Sequence, residues 1–146
     1  MSPLNFLLNI LWLIFGGLLA AVAWVVAALI MAITIIGIPW CFSALRIALY
    51  TFLPFGQEMR SRPDAGVLSV VGNIIWFVFA GWWLAIIHLV LALGLAITII
   101  GIPFAIAHVR LAGLALMPLG KRIVSIDEAR RAGAAQSVAV SGLGGS

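Results

Sequence analysis

Two long apolar blocks, residues 1–57 and 65–120, make up most of this 146-residue chain. Each block contains a single charged side chain, Arg46 in the first and Arg110 in the second. The whole chain is 65% hydrophobic and 8% charged, whereas soluble domains are roughly 45–50% apolar and about 25% charged. The composition therefore excludes a soluble globular domain, and the blocks must meet lipid. The length allows one compact membrane domain and leaves no room for a separate soluble catalytic domain.

The two blocks are copies of one another. A shift of 64 residues aligns NILWLIFGG at 9–17 with NIIWFVFAG at 73–81, and it superimposes the identical segments AITIIGIP at 32–39 and 96–103. The sequence therefore predicts two tandem membrane repeats joined and followed by polar segments: a first repeat over 1–57, a charged linker over 58–68, a second repeat over 69–121 and a basic, disordered tail over 122–146. The tail ends in SGLGGS, a composition typical of a flexible linker or an expression scar.

Each apolar block is too long to be one straight spanning helix. About 50 residues would extend roughly 75 Å as a helix, against a hydrocarbon core of about 30 Å. The breaking point is TIIGIP, because proline removes a helical donor and glycine permits unusual backbone angles. We expect breaks at 34–39 and 98–103, a long helix over 4–33 and a short helix over 40–53. The predicted fold is an all-α, multi-pass helical membrane protein with four membrane-embedded helices.

Two topologies are compatible with this pattern. In the first, each repeat is a helical hairpin, the repeats run parallel, and the N-terminus, the linker and the tail lie on one side. In the second, residues 40–53 form a re-entrant or interfacial helix and the repeats are inverted. The basic residues of the linker and tail favour the first under the positive-inside rule, with both termini cytoplasmic. Its hairpin turn has almost no polar residue, so we expect that turn to be buried in protein.

The residues that interrupt the apolar blocks are the main functional candidates. A buried arginine is costly in lipid, and a broken membrane helix exposes backbone groups that bind solutes. The alternatives are structural, because an arginine near a helix end can snorkel to the headgroups and a threonine hydroxyl can bond the carbonyl one turn back. The candidate pathway or gating residues are Thr34, Gly37, Pro39, Arg46, Thr98, Gly101, Pro103 and Arg110.

Four further polar residues lie inside the apolar blocks as weaker candidates. His88 and His108 are ionisable, yet neither block contains a carboxylate to complete a proton relay, so we favour structural histidines. Asn9 and Asn73 occupy equivalent repeat positions, where they either accompany an aromatic belt or bridge helices across the repeat axis. Two histidines and Cys41 at unrelated spacings do not predict a metal site.

Several classes of function are excluded by what the sequence lacks. It contains no G-x-S-x-G or H-E-x-x-H motif, no phosphate-binding loop and no paired carboxylates within the blocks, so we predict neither an enzyme nor a bound cofactor. The net charge is +4, but the basic residues flank the apolar blocks as in cytoplasmic loops. The sequence therefore does not predict nucleic-acid binding.

The doubled pattern N-I-[LI]-W…G…I-T-I-I-G-I-P…R…P-[FL]-G is accompanied by GWW at 81–83 and PLGKRIVS at 118–125. In this combination the chain resembles the YccF family of bacterial inner-membrane proteins, which contain two copies of an inner-membrane component domain. The resemblance covers residues 3 to about 131. It implies a multi-pass protein of the bacterial cytoplasmic membrane, and it implies no catalytic or binding residue.

The functional hypothesis that we favour is an oligomeric channel or small-solute or ion transport component. An anion preference is expected because the only fixed charges within the blocks are positive. The alternative is a non-transporting subunit or scaffold for a partner membrane protein, with the basic tail on anionic lipid. An enzyme acting on lipid through His88 or His108 ranks last. The expected partners are membrane lipids and further copies of the chain.

Overall fold

Each repeat folds into a helical hairpin followed by a short β-strand, and one more helix follows the second repeat. The structure is a computed structural model that describes the backbone of residues 2–143 and the side chains of residues 2–138. The helices are α1 (Pro3–Trp12), α2 (Leu18–Ile33), α3 (Ile38–Phe52), α4 (Val67–Trp76), α5 (Trp82–Ala96), α6 (Ile102–Leu116) and α7 (Ile126–Leu143), and the strands are β1 (Gln57–Ser61) and β2 (Lys121–Ser125).

The long arm of each hairpin consists of two α-helices joined by one π-helical turn. These turns are Leu13–Gly17 and Phe77–Gly81. The first arm kinks at Gly16, which has a φ of 130°, whereas the second repeat has Ala80 there. Three helical segments are long and apolar enough to cross a membrane, namely Pro3–Ile33, Val67–Ala96 and Ile99–Leu116, and Ile38–Phe52 is a shorter apolar helix. The predicted fold of four apolar helices in two tandem repeats is confirmed.

The TIIGIP segments form the tight turns of the two hairpins, at the predicted break. Thr34 Oγ1 donates to the Met31 carbonyl at 2.8 Å and accepts from the Gly37 amide at 3.2 Å. Thr98 makes the same two bonds in the second repeat. Pro39 and Pro103 lie in the first turn of α3 and α6, where the missing amide hydrogen is not needed. Each threonine therefore satisfies backbone groups of its own turn.

The hairpin turns lie at the surface of the chain. Four isoleucine side chains of the two turns are 75–86% exposed, namely Ile35, Ile36, Ile99 and Ile100. The expectation that the turns would be buried in protein was therefore wrong for the single chain. The reason is that the threonine hydroxyls satisfy the turn's backbone locally, so its isoleucines are free to face an apolar surrounding.

In each repeat, an asparagine and a tryptophan of the first helix (α1 or α4) bond to backbone groups near the end of α3 or α6. Asn9 accepts from the Phe55 amide at 3.0 Å and donates to the Phe55 carbonyl at 2.9 Å. Asn73 makes the equivalent pair of bonds with Leu119. Trp12 and Trp76 donate their indole hydrogens to the carbonyls of Thr51 and Ala115, each at 2.7 Å. Each asparagine therefore bonds to the backbone of its own repeat.

Replacing Trp76 by phenylalanine tests the contribution of this indole bond. Trp76→Phe keeps the ring and leaves the buried carbonyl of Ala115 without its donor, so we expect a loss of about 1–3 kcal/mol in the free energy of unfolding. Titration of the micelle-bound protein with dodecyl sulfate measures this loss. Trp83→Phe, at a position that is 56% exposed, serves as the control and should cost under about 0.5 kcal/mol. Equal losses in the two variants would contradict the assignment.

The strands β1 and β2 pair with one another as an antiparallel ribbon. Met59 lies opposite Ile123, and these two residues occupy equivalent positions in the repeats, so each repeat contributes one equivalent strand. Two bonds extend the ribbon, from the Arg62 amide to the Gly120 carbonyl and from the Ile126 amide to the Gly56 carbonyl. Gly56 has a φ of 96° and Gly120 a φ of 75°, a backbone conformation in which any side chain would be strained.

The ribbon changes the description of the linker and the tail. Residues 58–61 of the predicted charged linker belong to β1, and in the predicted disordered tail residues 122–125 belong to β2 and residues 126–143 to α7. Composition alone does not indicate these strands, because each strand is stabilised by pairing with a strand of the other repeat. Residues 144–146, the end of the predicted scar, lie outside the described residues.

The two hairpins pack head to tail. Helix α2 packs along α3 and α5 along α6, so the hairpin alternative describes both repeats. Phe104, in the first turn of α6, contacts the ring of Phe55 beyond the end of α3, with centroids 6.0 Å apart. Trp40, at the start of α3, lies next to Gly72 near the start of the second repeat. The turn of each hairpin thus lies against the open end of the other, so the expected parallel packing was wrong.

A pseudo-two-fold axis relates the repeats. It passes through the central Met59–Ile123 pair of the ribbon, and at its other end Trp24 stacks on His88, its equivalent in the second repeat. The core between these points contains the fully buried side chains of Ile47 and Leu111, which are also equivalent residues. The long helices contribute less to this core, since only 22% of the most apolar stretch of each is buried, against 50% for Ile99–Leu116.

Candidate functional site

A polar cavity of about 500 Å³ lies where the ribbon meets α3 and α6. The cations Arg110 and Lys121 face it together with one carboxylate, Glu58, which is itself paired with Arg60 at 3.1 Å. Two cations and one anion give the lining a net charge of +1. Because Glu58 is already paired with Arg60, its carboxylate competes less with a bound anion for the cations of the cavity. The lining residues are Tyr50, Glu58, Met59, Arg110, Gly113, Leu114 and Lys121.

Arg110 occupies the boundary between this cavity and a second one. The second cavity measures about 280 Å³ and is lined by Asn5, Pro54, Phe55, Gly56, Ile102, Pro103, Ile106, Ala107, Arg110 and Ile126. Tyr50, a side chain that is 1% exposed, lines the first cavity together with Arg110. Because Arg110 itself is exposed, its planar cationic group is accessible from the cavity. This arrangement suits the binding of an oxyanion or halide.

Arg46, the equivalent of Arg110 in the first repeat, is used differently. Its Nη1 atom donates to the main-chain carbonyl of Lys121 at 2.6 Å, and the residue is half-buried. The guanidinium therefore anchors the start of β2 to α3, and both arginines reach the ribbon region. The sequence paired the two arginines as one candidate, and the structure separates them into an anchoring group and a cavity-lining group.

The remaining pathway candidates lie at the two hairpin turns. Thr34 and Gly37 line an apolar groove together with Trp40, Trp76 and Phe79. Pro103 lines the second cavity, beside Arg110, whereas Thr98 and Gly101 belong to the other turn. The role of the turn residues in a pathway stays a prediction, and their observed hydrogen bonds are those of a local cap.

The two histidines, predicted separately, are brought together. Nδ1 of His88 on α5 and Nδ1 of His108 on α6 are 3.0 Å apart. Both residues are buried, with 7% and 8% of their surface exposed. Their spacing along the chain carries no helical signal, because they belong to different arms of one hairpin. Only the hairpin turn, which reverses the chain between residues 96 and 102, places them side by side.

Three polar residues of the first cavity were not among the predicted candidates. Tyr50, Glu58 and Lys121 come from α3, the linker and the end of the second repeat. One signal was available, since Tyr50 is the only tyrosine in the chain and lies one helical turn after Arg46. The other two follow only from the pairing of β1 with β2, which no local pattern predicts.

The comparisons with known proteins agree with this two-repeat architecture. The family model named YccF, inner membrane component domain, matches twice, over residues 7–57 and 71–121. The inner membrane protein YccF of Escherichia coli is 35% identical over 134 residues, which cover 86% of this chain and 90% of that protein. Its counterpart in Shigella flexneri matches with the same figures. No solved structure matches the chain. The chain therefore belongs to the YccF family of integral inner-membrane proteins.

Proposed function

We propose that this protein is a homo-oligomeric transport component of the inner membrane that carries small anions. The observation that carries the proposal is the cationic cavity at Arg110. It is polar, it adjoins the apolar helices, and its lining includes the two cationic residues Arg110 and Lys121. Such a cavity attracts anions and releases them readily, because its walls are partly open to solvent.

The oligomer is part of the proposal because one chain encloses little space. Several polar side chains between the helices bond to the chain's own backbone, as Asn9, Trp12 and Thr51 do. Most of the surface of the two long helices is uncovered. A route that begins at the Arg110 cavity would therefore continue between subunits, along a symmetry axis.

The distribution of charge supports a cytoplasmic position for the ribbon. Arg60, Arg62, Lys121 and Arg122 lie on or next to the strands, and α7 contributes Arg130 and Arg131. A cavity lined by Ser2, Gly56 and Arg130, among others, joins the N-terminal end to the same region. Under the positive-inside rule this face belongs inside, where the basic groups also meet anionic lipid headgroups.

Anion flux into liposomes tests the proposal. Purified protein is reconstituted, a potential is applied, and the flux of chloride, nitrate and phosphate is measured against empty vesicles. Arg110→Ala removes the accessible cation, whose charged contact with an anion contributes roughly 1.5–3 kcal/mol. We therefore expect the flux to fall about tenfold or more. Arg131→Ala removes one exposed charge from α7 and should leave the flux within about twofold.

Two further outcomes bear on the proposal. Arg46→Ala in the same assay tests the sequence prediction that both arginines line the path, since an equal fall would place both on it. Folded protein that produces no anion flux above empty vesicles would overturn the proposal and favour the non-transporting membrane subunit. In that alternative, small residues of the first long helix would pack against a partner protein. Gly17, Ala21 and Ala28 are already buried within this chain, so they are not available for such packing.

A further inference from the structure

The seam between the two repeats contains a pair of histidines in direct contact. The Nδ1 atoms of His88 and His108 are 3.0 Å apart, and the ring centroids are 5.3 Å apart. At this distance one Nδ1 must carry a hydrogen and the other must offer its lone pair. The two rings therefore share a single hydrogen at their Nδ1 atoms.

Two tryptophans of the first repeat enclose the pair. His88 stacks on Trp24 with an interplanar angle of 4° and a centroid distance of 6.4 Å. The ring of Trp12 lies 5.1 Å from that of His108. The face of an indole ring attracts a cation, and the parallel stack turns the face of Trp24 towards His88. The pair links α5 and α6 to the long arm of the other repeat.

The pair is present in only one of the two repeats. The equivalent positions in the first repeat are Trp24 and Ala44, and both are buried there. A packed core at this place therefore does not require ionisable residues. The first repeat shows which side chains fill the same positions without them.

The helices around the histidine pair contain few other ionisable side chains. Helices α1, α2 and α4 contain no charged residue and α5 contains only His88, whereas α3 contains Cys41, Arg46 and Tyr50 and α6 contains His108 and Arg110. Residues 3–52 and 67–116 include no carboxylate. A positive charge on the pair is consequently stabilised by the partner imidazole and by the indole face of Trp24.

We propose that the His88–His108 contact is a proton-binding site at the seam of the two repeats, which takes up one proton per chain. The added proton binds the free Nε2 of the ring that already donates through Nδ1, and the resulting imidazolium donates a charge-assisted bond to the neutral ring. A second proton is excluded while the seam is closed, because two Nδ1 hydrogens would then face each other at 3.0 Å. Full protonation therefore requires the two rings to separate.

Nitrogen-15 NMR of the imidazole rings tests this site, since the chain has only two histidines. The full-length protein, with a purification tag free of histidine, is placed in lipid nanodiscs and titrated from about pH 8 to about pH 4. We expect a scalar coupling across the Nδ1–H···Nδ1 bond and the conversion of one ring to imidazolium while the other stays neutral. Two rings that become charged together over one pH range, with no coupling, would overturn the proposal.

Two variants copy the side chains of the first repeat. His108→Ala corresponds to Ala44 and His88→Trp to Trp24, so both substitutes are already accommodated at equivalent core positions. We expect the coupling to vanish in either variant, and the midpoint of the remaining histidine to move by more than one pH unit. An unchanged midpoint would contradict a shared proton. Because the readout is proton uptake, it stands apart from the flux experiment on Arg110.

Discussion

Gly101→Ala is expected to destabilise the second hairpin by about 3 kcal/mol. A Cβ atom at Gly101 would collide with the main-chain carbonyl of Leu95, and one at Gly37 would lie 2.6 Å from the carbonyl of Met31. In both cases the obstacle is backbone, so the turn itself has to shift and the threonine cap is lost. Overpacking of this kind costs typically 1–3 kcal/mol and occasionally more. The free energy of unfolding in mixed detergent micelles, followed by circular dichroism, measures the effect.

Gly94→Ala is the matched control for this substitution. Gly94 lies in α5, seven residues before Gly101, and a Cβ atom placed there would meet nothing within 4 Å. Alanine is favoured over glycine within a helix by roughly 0.5–1 kcal/mol, so this variant should be as stable as the original or slightly more stable. The two variants are thus expected to change stability in opposite directions. A loss of stability at Gly94 that equals the loss at Gly101 would refute the steric explanation.

Asn9→Ala and Asn73→Ala should each destabilise the protein by about 3 kcal/mol. Each asparagine makes two bonds to one residue just beyond the end of the second helix, Phe55 or Leu119. Truncation leaves an amide and a carbonyl without these bonds, and a buried unsatisfied group costs roughly 1–3 kcal/mol. The segment released is the one that leads into the ribbon, so we expect loss of ribbon protection from amide hydrogen exchange as well.

Asn5→Ala separates this effect from a general loss of polar groups in α1. Asn5 lies in the first turn of the same helix, and the bond from its main-chain amide to Ser2 does not depend on its side chain. We expect a change below about 1 kcal/mol and intact exchange protection in β1 and β2. If Asn9→Ala leaves the exchange of Arg62 and Ile126 amides unaltered, the asparagine does not position the ribbon.

Local sequence patterns predicted the helices and turns, whose formation depends on residues close together in the sequence. The duplication, the two apolar blocks and the proline–glycine breaks predicted two helical hairpins in a membrane, and the observed helices begin and end within two residues of 4–33 and 40–53. These features follow from hydrophobicity and from backbone sterics, which act within one or two helical turns. The family resemblance rested on the same segments and was confirmed.

The tertiary structure decided the features that join distant residues. Asn9 binds a residue 46 positions away and Trp12 one 39 positions away, and the strands pair between the two repeats. Such contacts leave no periodic trace in the sequence, so the asparagines were assigned to a belt or a bridge between repeats. The ribbon and the Arg110 cavity depend on such contacts, whereas the histidine pair depends on the packing of α5 against α6.

The sequence by itself determined that this chain is a duplicated, helical membrane protein of the YccF family with two equivalent arginines. Only the tertiary structure decided that the equivalent arginines differ, because Arg46 binds the carbonyl of Lys121 while Arg110 faces a cavity. Equal sequence positions acquire unequal surroundings because the repeats pack against each other, and α7 follows the second repeat alone. Hydrophobicity specifies which segments leave water, whereas packing between segments specifies which polar groups meet.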